Sequence, residues 1–299
     1  MDVAVTGSHG LIGGALVRSL EGDGHQVRRL VRADPGPGEV RWDPRTCTID
    51  SGGLDGVDAV VHLAGAGIAT GRWTEQHKRQ VRDSRTKGTA LLAEALAGLE
   101  RPPRVLVSGS AVGWYGDRGD EVLSETSPTG DGFLAEVCQA WEAAAGMAEQ
   151  AGIRVCRIRT GIVLSREGGA LAAQLLPYKL GLGGPAGDGH QWMSWITLAD
   201  EVAAIRFLLE ADGVSGPVNL TAPEPVRNRD FAKALGRALH RPAVLPIPKL
   251  AGRLPAGIGP LVENLLFVSQ RVEPVVLQGA GYHFTHASLD AALAAALAR

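Results

Sequence analysis

The chain has 299 residues, 45% of them hydrophobic and 21% charged, which suits a globular protein with a substantial core. Its 30 basic and 32 acidic residues leave a formal net charge of -2, too balanced to attract nucleic acid or an anionic membrane surface. No apolar run approaches a membrane span. The three cysteines, Cys47, Cys138 and Cys156, lack paired spacing, so a reducing, cytoplasmic location without disulfides is expected. His283 and His286 lie three apart with no carboxylate or cysteine cluster around them, and no metal site is expected.

The chain opens on a short apolar strand, Val3 to Val5, which runs through Thr6 into a turn at Gly7, Gly10 and Gly13 and then into an amphipathic helix with Leu16 and Leu20. Gly7 lets the chain leave the strand sharply. Gly10 lets a pyrophosphate approach the backbone amides, and Gly13 lets the helix pack close to the sheet. The unpaired amides and the dipole at the helix start attract an anion. A second strand, Val27 to Val31, closes a βαβ unit of dinucleotide-binding length.

Residues 33–56 are rich in Pro, Gly and Asp and read as loop, with one extended piece at Val40-Arg41-Trp42. Asp58 to Leu63 reads as a buried parallel strand, and Trp73 to Leu99 as a long helix, with Gly65, Gly67 and Gly71 opening the loop between them. Arg104 to Ser108 is the next strand. A helix from about Gly132 to Gln150 and a strand from Ile153 to Ile158 follow. This alternation predicts an α/β fold: a Rossmann-type doubly wound parallel sheet in residues 1–165, with a smaller C-terminal α/β cap in residues 166–299. In the cap, helices are expected at about 169–180, 198–210, 228–240, near 260–268 and at 286–298, with a strand-like stretch from Pro217 to Thr221. The ligand crevice should lie at the carboxyl ends of the strands.

These residues resemble the extended short-chain dehydrogenase/reductases. Further motifs narrow the likeness to one atypical branch, the epimerase-family proteins of unassigned substrate. They are Asp58-Ala-Val-Val-His-Leu-Ala-Gly65, Ser84-Arg85, Ser110-Ala-Val-Gly-Trp-Tyr-Gly-Asp117, Trp141-Glu142, Leu180-Gly-Leu-Gly-Gly-Pro185 and Gly189-His-Gln191. The tail, with Ser269-Gln-Arg-Val-Glu-Pro274 and Gly281-Tyr-His-Phe284, resembles that branch's C-terminal region, DUF1731-like over residues 248–296. In the wider superfamily a tyrosine and a lysine four residues apart share one helical face. The tyrosine moves the proton, and the lysine lowers its pKa and holds the nicotinamide ribose. Counting back from Glu142, Leu134 and Cys138 take those two places. The resemblance therefore retains a cofactor loop and lacks the usual catalytic pair.

NAD-binding relatives end the second strand on an acidic residue. Here Val31 stands there, followed by Arg32, which can pair with a 2′-phosphate, so NADP(H) is expected over NAD(H). The alternative for Arg32 is a solvated strand end. Asp34, past the strand, could reach the ribose. The resemblance implies cofactor contacts from Thr6, Gly7, Gly10, Leu11, Ile12, Gly13, Val31, Arg32, Leu63, Ala64, Gly65, Gln80, Arg85, Ser108 and Val163. Leu63 and Val163 read equally well as core, and Arg85 as a surface ion-pair partner.

Ser110 occupies the place of the superfamily's substrate-binding serine, or else caps a loop. Tyr115 is a candidate replacement proton donor, or packs beside Trp114. Lys179, His190, Gln191, Trp192 and Trp195 are candidate substrate-side residues around a glycine-rich loop. The expected function is an NADP(H)-dependent oxidoreductase acting on a small carbonyl or alcohol compound. A nucleotide-sugar epimerase or dehydratase and a non-catalytic NADP(H)-binding sensor are the alternatives. The expected partner is a small-molecule substrate, with no nucleic acid and no membrane, and an oligomer is not indicated.

Overall fold

The computed structural model describes residues 1–68, 73–248 and 266–298. In chain order the first half contains β1 (Asp2–Thr6), α1 (Leu11–Gly22), β2 (Gln26–Val31), β3 (Glu39–Asp43), β4 (Thr48–Ile49), β5 (Ala59–His62), α2 (Glu75–Ala97), β6 (Val105–Ala111), β7 (Val122–Leu123), α3 (Phe133–Ala143), α4 (Gly146–Gln150) and β8 (Arg154–Thr160). The second half contains β9 (Ile162–Leu164), α5 (Gly169–Lys179), β10 (Trp192–Met193), β11 (Trp195–Thr197), α6 (Leu198–Glu210), β12 (Gly216–Leu220), β13 (Val226–Arg227), α7 (Asn228–Ala238), β14 (Arg271–Val272), α8 (Val275–Gly279) and α9 (Leu289–Leu297).

One eight-stranded sheet runs β12-β8-β6-β5-β1-β2-β3-β4, parallel throughout except for the antiparallel β3·β4 pair at one edge. Alternation along each strand sends side chains to opposite faces. Val3, Val5, Val61 and Val107 pack with Leu16 and Leu20 of α1 and with Ile205 and Leu208 of α6. Ala4, Val60 and Leu106 face the other way, onto Leu92 and Leu96 of α2 and Ala148 of α4. Thr74 caps α2, accepting from the His77 amide at 3.2 Å.

Three features differ from the expectation. The Val40–Trp42 piece is a full strand of the sheet: Val40 and Trp42 are buried against Leu30 and Leu54, apolar anchors that the surrounding Pro, Gly and Asp obscured. The helix expected over 132–150 is broken. The Glu142 carbonyl accepts from Arg157 Nε at 3.1 Å, and the chain turns through Ala144 and Ala145 before Gly146. Residues 198–220, read from sequence as part of the cap, return to the sheet, with α6 on the α1 face and β12 pairing β8. The helix expected near 260–268 lies mostly outside the described residues, as does Gly71.

The remaining elements form a second core, with Leu164, Leu171, Trp195, Phe231, Leu235 and Leu293 at its centre. It is seated on the carboxyl ends of the strands through the parallel β9·β11 pair, which continues directly from β8. Asp200, buried at the start of α6, accepts from the amides of Thr285 (2.8 Å) and His286 (3.0 Å), pinning the tail to the sheet layer.

Candidate functional site

The first turn of the chain is built for close approach. Gly7 has φ +68°, and a Cβ on it would lie 2.9 Å from the Leu63 carbonyl carbon. A Cβ on Gly13 would come within 2.2 Å of the Gly7 oxygen, so only glycine lets α1 start there. Gly10, the N-cap, lends no side chain to the helix start, and the Leu11, Ile12 and Gly13 amides of the first turn have no side-chain cap. This helix terminus points its donors and dipole into the crevice, as a pyrophosphate requires. Leu11 packs toward Gly168 and Gly169, where added Cβ atoms would touch it at 3.5 Å, so the start of α5 faces the same turn.

Thr6 stands behind this cradle. It is fully buried, its hydroxyl accepts from the Leu63 and Ala64 amides at 3.1 Å each, and it bonds His62 Nδ1 at 2.7 Å. Its role is to fasten the end of β1 to the end of β5. His62 bonds Thr89 through its other nitrogen at 3.0 Å, and burial pushes its pKa down to about 4, so the ring is neutral.

At the end of β2, Val31 is buried and Arg32 is exposed, with no ion pair among the described residues. Arg41 lies opposite Val31 on β3 and pairs with Asp34 at 3.1 Å. The carboxylate that could have served a ribose is thus drawn to a second guanidinium beside Arg32, which only the β2·β3 register reveals.

Arg85 is not a surface ion-pair partner. It is buried on α2, and one terminal nitrogen donates to the carbonyls of Ala66 (2.9 Å) and Val81 (3.1 Å). Its guanidinium lies against Gly65, where a Cβ would sit 3.2 Å away, and 5.0 Å from the Trp141 ring centroid. Gln80, on the same helix, is exposed, and its side chain makes no hydrogen bond among the described residues. Ser108 is buried in β6, and its hydroxyl has no partner among the described residues. Leu63 and Val163 are half-buried at the edge of the core shared by α1 and α6.

Ser110 lies inside β6, two residues from Ser108 and on the same face. Its hydroxyl donates to Glu142 at 2.7 Å. Glu142 is held bidentately by Arg159, at 2.8 and 3.0 Å, and all three residues are buried. Arg159 lies 4.0 Å from the Trp114 ring centroid and donates to the Tyr115 hydroxyl at 3.1 Å. Tyr115 in turn donates to Asn219 at 2.6 Å. Burial pushes the Tyr115 pKa up to about 12. This corrects the proton-donor expectation: the phenol is fully buried and engaged on both sides, a strut joining β8, β12 and the loop after β6. Cys138, at the lysine's place, is sealed too, its thiol pushed up to about 12 by burial.

The cap candidates divide. Lys179 and His190 are exposed. Gln191 is buried and donates to the carbonyls of Ala186 (3.1 Å) and Leu266 (2.7 Å), so it ties loops together. Trp195 is fully buried in the cap core, its indole donating to the Glu224 carbonyl at 3.1 Å. Both are structural, their side chains buried and their polar groups spent on backbone carbonyls. Trp192 is half-buried, with Arg227 and Arg271 at 4.1 and 4.6 Å from its ring centroid.

Arg159 and Glu201 carried no sequence signal beyond their type, and Glu142 was marked only by its place in the Trp141-Glu142 motif. Arg159 and Glu142 find each other only because β8 pairs β6 beneath α3. Glu201, in α6, accepts from Thr160 at the end of β8 at 2.8 Å. Burial pushes its pKa up to about 8.

The profile of the NAD dependent epimerase/dehydratase family matches residues 3–220, and that of a domain of unknown function, DUF1731, matches residues 247–296. The chain is 43% identical to epimerase family protein Mb2239 of Mycobacterium bovis over 298 residues, 99% of this chain and 98% of that one. The crystal structure of human epimerase family protein SDR39U1 with NADPH superposes with TM-score 0.90 at 36% identity, covering 99% of this chain and 98% of that one. A nucleoside-diphosphate sugar epimerase from Corynebacterium glutamicum gives TM-score 0.81 at 40% identity, over 98% of this chain and 57% of that one.

Proposed function

The chain belongs to the NAD dependent epimerase/dehydratase family, and on that premise we propose that it is an NADP(H)-dependent oxidoreductase acting on a small carbonyl or alcohol compound held under the C-terminal cap. The observation that carries this reading is the glycine-walled, uncapped start of α1, followed at the end of β2 by the exposed Arg32 rather than an acid. The likeness to the NADPH-bound human relative supports it. In this reading the amides of Leu11 to Gly13 hold the pyrophosphate, Arg32 and Arg41 hold the 2′-phosphate, and Val163 flanks the nicotinamide. When bound, the cofactor supplies or accepts a hydride. Ser110, whose one proton goes to Glu142, accepts from the substrate hydroxyl.

The buried, doubly engaged Tyr115 favours one further reading, an NADP(H)-binding sensor without turnover. Fluorescence titration with NADPH and NADH, then a carbonyl panel, separates the two. Submicromolar to micromolar NADPH binding, with NADPH oxidised as one carbonyl of the panel is reduced to its alcohol, supports the oxidoreductase. Tight NADPH that stays reduced across the panel supports the sensor. Absence of binding at millimolar NADPH removes both.

A further inference from the structure

The cap carries a second hollow whose lining includes none of the crevice residues. Its volume is about 710 Å³, the size of a small-molecule site, and it lies between one flank of α7 and the return of the chain after that helix. Lys233 and Arg237, four apart, share that flank. The return packs close because position 236 is glycine: a Cβ there would come within 2.7 Å of the Ala243 side chain and 2.8 Å of the Arg241 oxygen. The Arg241 amide donates to the Gly236 carbonyl at 2.9 Å, and its Nε to the Lys179 carbonyl at 3.0 Å. Lys233, Arg237, His240 and Arg241 therefore edge one hollow, with Ala243 and Val244 as its apolar lining, and no carboxylate lines it among the described residues. Asp290 pairs with Arg237 at 2.9 Å, and Lys233 makes no ion pair among the described residues. Like charges four apart on a helix are unfavourable by themselves. The partial negative charge at the end of α7 accounts for Arg237 in its last turn and for Arg241 just beyond, but not for Lys233, more than a turn upstream.

We infer that this hollow is a second ligand site, one that takes a small organic phosphate: the N–H groups of Lys233, Arg237 and Arg241 bind its phosphoryl oxygens, and Ala243 and Val244 carry its apolar part. Ammonium and guanidinium donors converging from three side chains match the three oxygens and the charge of roughly −2 on a phosphate monoester. A carboxylate offers two oxygens and a single charge, too little for three cations. The site stands apart from the proposed NADP(H) binding and does not depend on it.

The test titrates the full chain with 1-naphthyl phosphate, followed by its fluorescence, and with 1-naphthoate and inorganic phosphate for comparison. 1-Naphthyl phosphate is expected to saturate at or below about 1 mM and to bind about tenfold tighter than either of the others. No saturation by about 10 mM, or 1-naphthoate bound as tightly, overturns the assignment. Displacement of the bound probe by 2′,5′-ADP, the adenosine half of NADP(H), would put the probe in the crevice and overturns it too. Two variants address the hollow directly. Lys233→Gln is expected to weaken the probe about fivefold. Val244→Glu, at a position 73% exposed, sets a carboxylate in the hollow and should weaken it about tenfold or more. Arg229→Gln removes the same charge from α7 outside the hollow and is expected to change the affinity less than about twofold. An Arg229→Gln protein as weak as Lys233→Gln would mean attraction to the basic helix at large, and unchanged affinity in Lys233→Gln and Val244→Glu would mean that the probe binds elsewhere; either result overturns the inference.

Discussion

The two ends of the crevice treat their polar groups in opposite ways. At the β1–α1 turn the amides have no side-chain cap and the walls are glycine, and Arg32 at the end of β2 is solvated. At the β6–β8 end, Ser110, Glu142, Arg159, Tyr115 and Asn219 form one buried chain of hydrogen bonds in which each member has a partner. The first region needs a ligand to complete its bonding; in the second these five residues complete one another's. Binding and chemistry are thus separable here, and a mutation at one end should leave the other intact.

The sharpest way to break that contrast is to open the closed end. Arg159→Met leaves Glu142 as a buried carboxylate without its cation, and such removals cost about 3–5 kcal/mol. Denaturant unfolding should show a loss of that size, while any variant still folded should bind 2′,5′-ADP like wild type. A loss below about 1 kcal/mol would mean that the pair is solvated, like an ordinary surface bridge.

Gly13→Ala attacks the open end. The 2.2 Å approach to the Gly7 oxygen forces α1 off the turn, an overpacking cost of about 1–3 kcal/mol. NADPH binding should fall by far more than stability alone explains, because the amides of the first turn move with the helix. Unchanged binding in a folded Gly13→Ala protein would show that the dinucleotide does not use this turn.

The open end was legible in the sequence because its chemistry is local: three glycines between a strand and a helix dictate their own geometry. The closed end was legible only in residue type. Ser110 was found through its position on β6, but its partner Glu142 lies 32 residues away and Arg159 another 17. Tyr115 read as either a proton donor or a packing partner of Trp114, because a loop tyrosine gives no sign that β12 will cover it. Trp195 and Gln191 misled for the same reason: the glycine-rich run around them suggested an open pocket, whereas both residues close a core. The Val40–Trp42 stretch was legible as an extended piece, but the turn formers around it gave no sign that it joins the main sheet. The return of 198–220 to the sheet is a topological fact that periodicity does not encode.

A pH series tests how completely the closed end excludes water. Glu201 keeps its proton to about pH 8 in the folded chain, against 4.5 for an ordinary glutamate. Between those values the folded chain holds a proton that the unfolded chain has released, so stability falls as pH rises, by up to about 1.4 kcal/mol per unit. His62 works in the opposite sense. Its folded pKa of about 4 lies below the ordinary 6.5, so its contribution is full above pH 6.5 and is lost as pH falls toward 4. The two slopes oppose each other from 4.5 to 6.5, and Glu201's alone remains from 6.5 to 8. Glu201→Gln should remove the decline above pH 6.5, seen by subtracting its unfolding free energies from those of wild type. A pH-independent difference would mean that water reaches this carboxyl.

The smallest expected effect bears on which dinucleotide the open end takes. Arg32 is exposed, so a pairing with the 2′-phosphate is screened and worth about 1 kcal/mol, or roughly fivefold in affinity. Arg32→Ala should weaken NADPH by about that factor and leave NADH unchanged, and the gap should narrow with added salt. Arg41 adds a second test. Its pairing with Asp34 at 3.1 Å competes with any phosphate, so Asp34→Asn should free that guanidinium and tighten NADPH slightly. If Asp34→Asn instead weakens NADH while sparing NADPH, the carboxylate serves a ribose hydroxyl. The open end would then be tuned for the unphosphorylated dinucleotide, with Arg32 a solvated strand end.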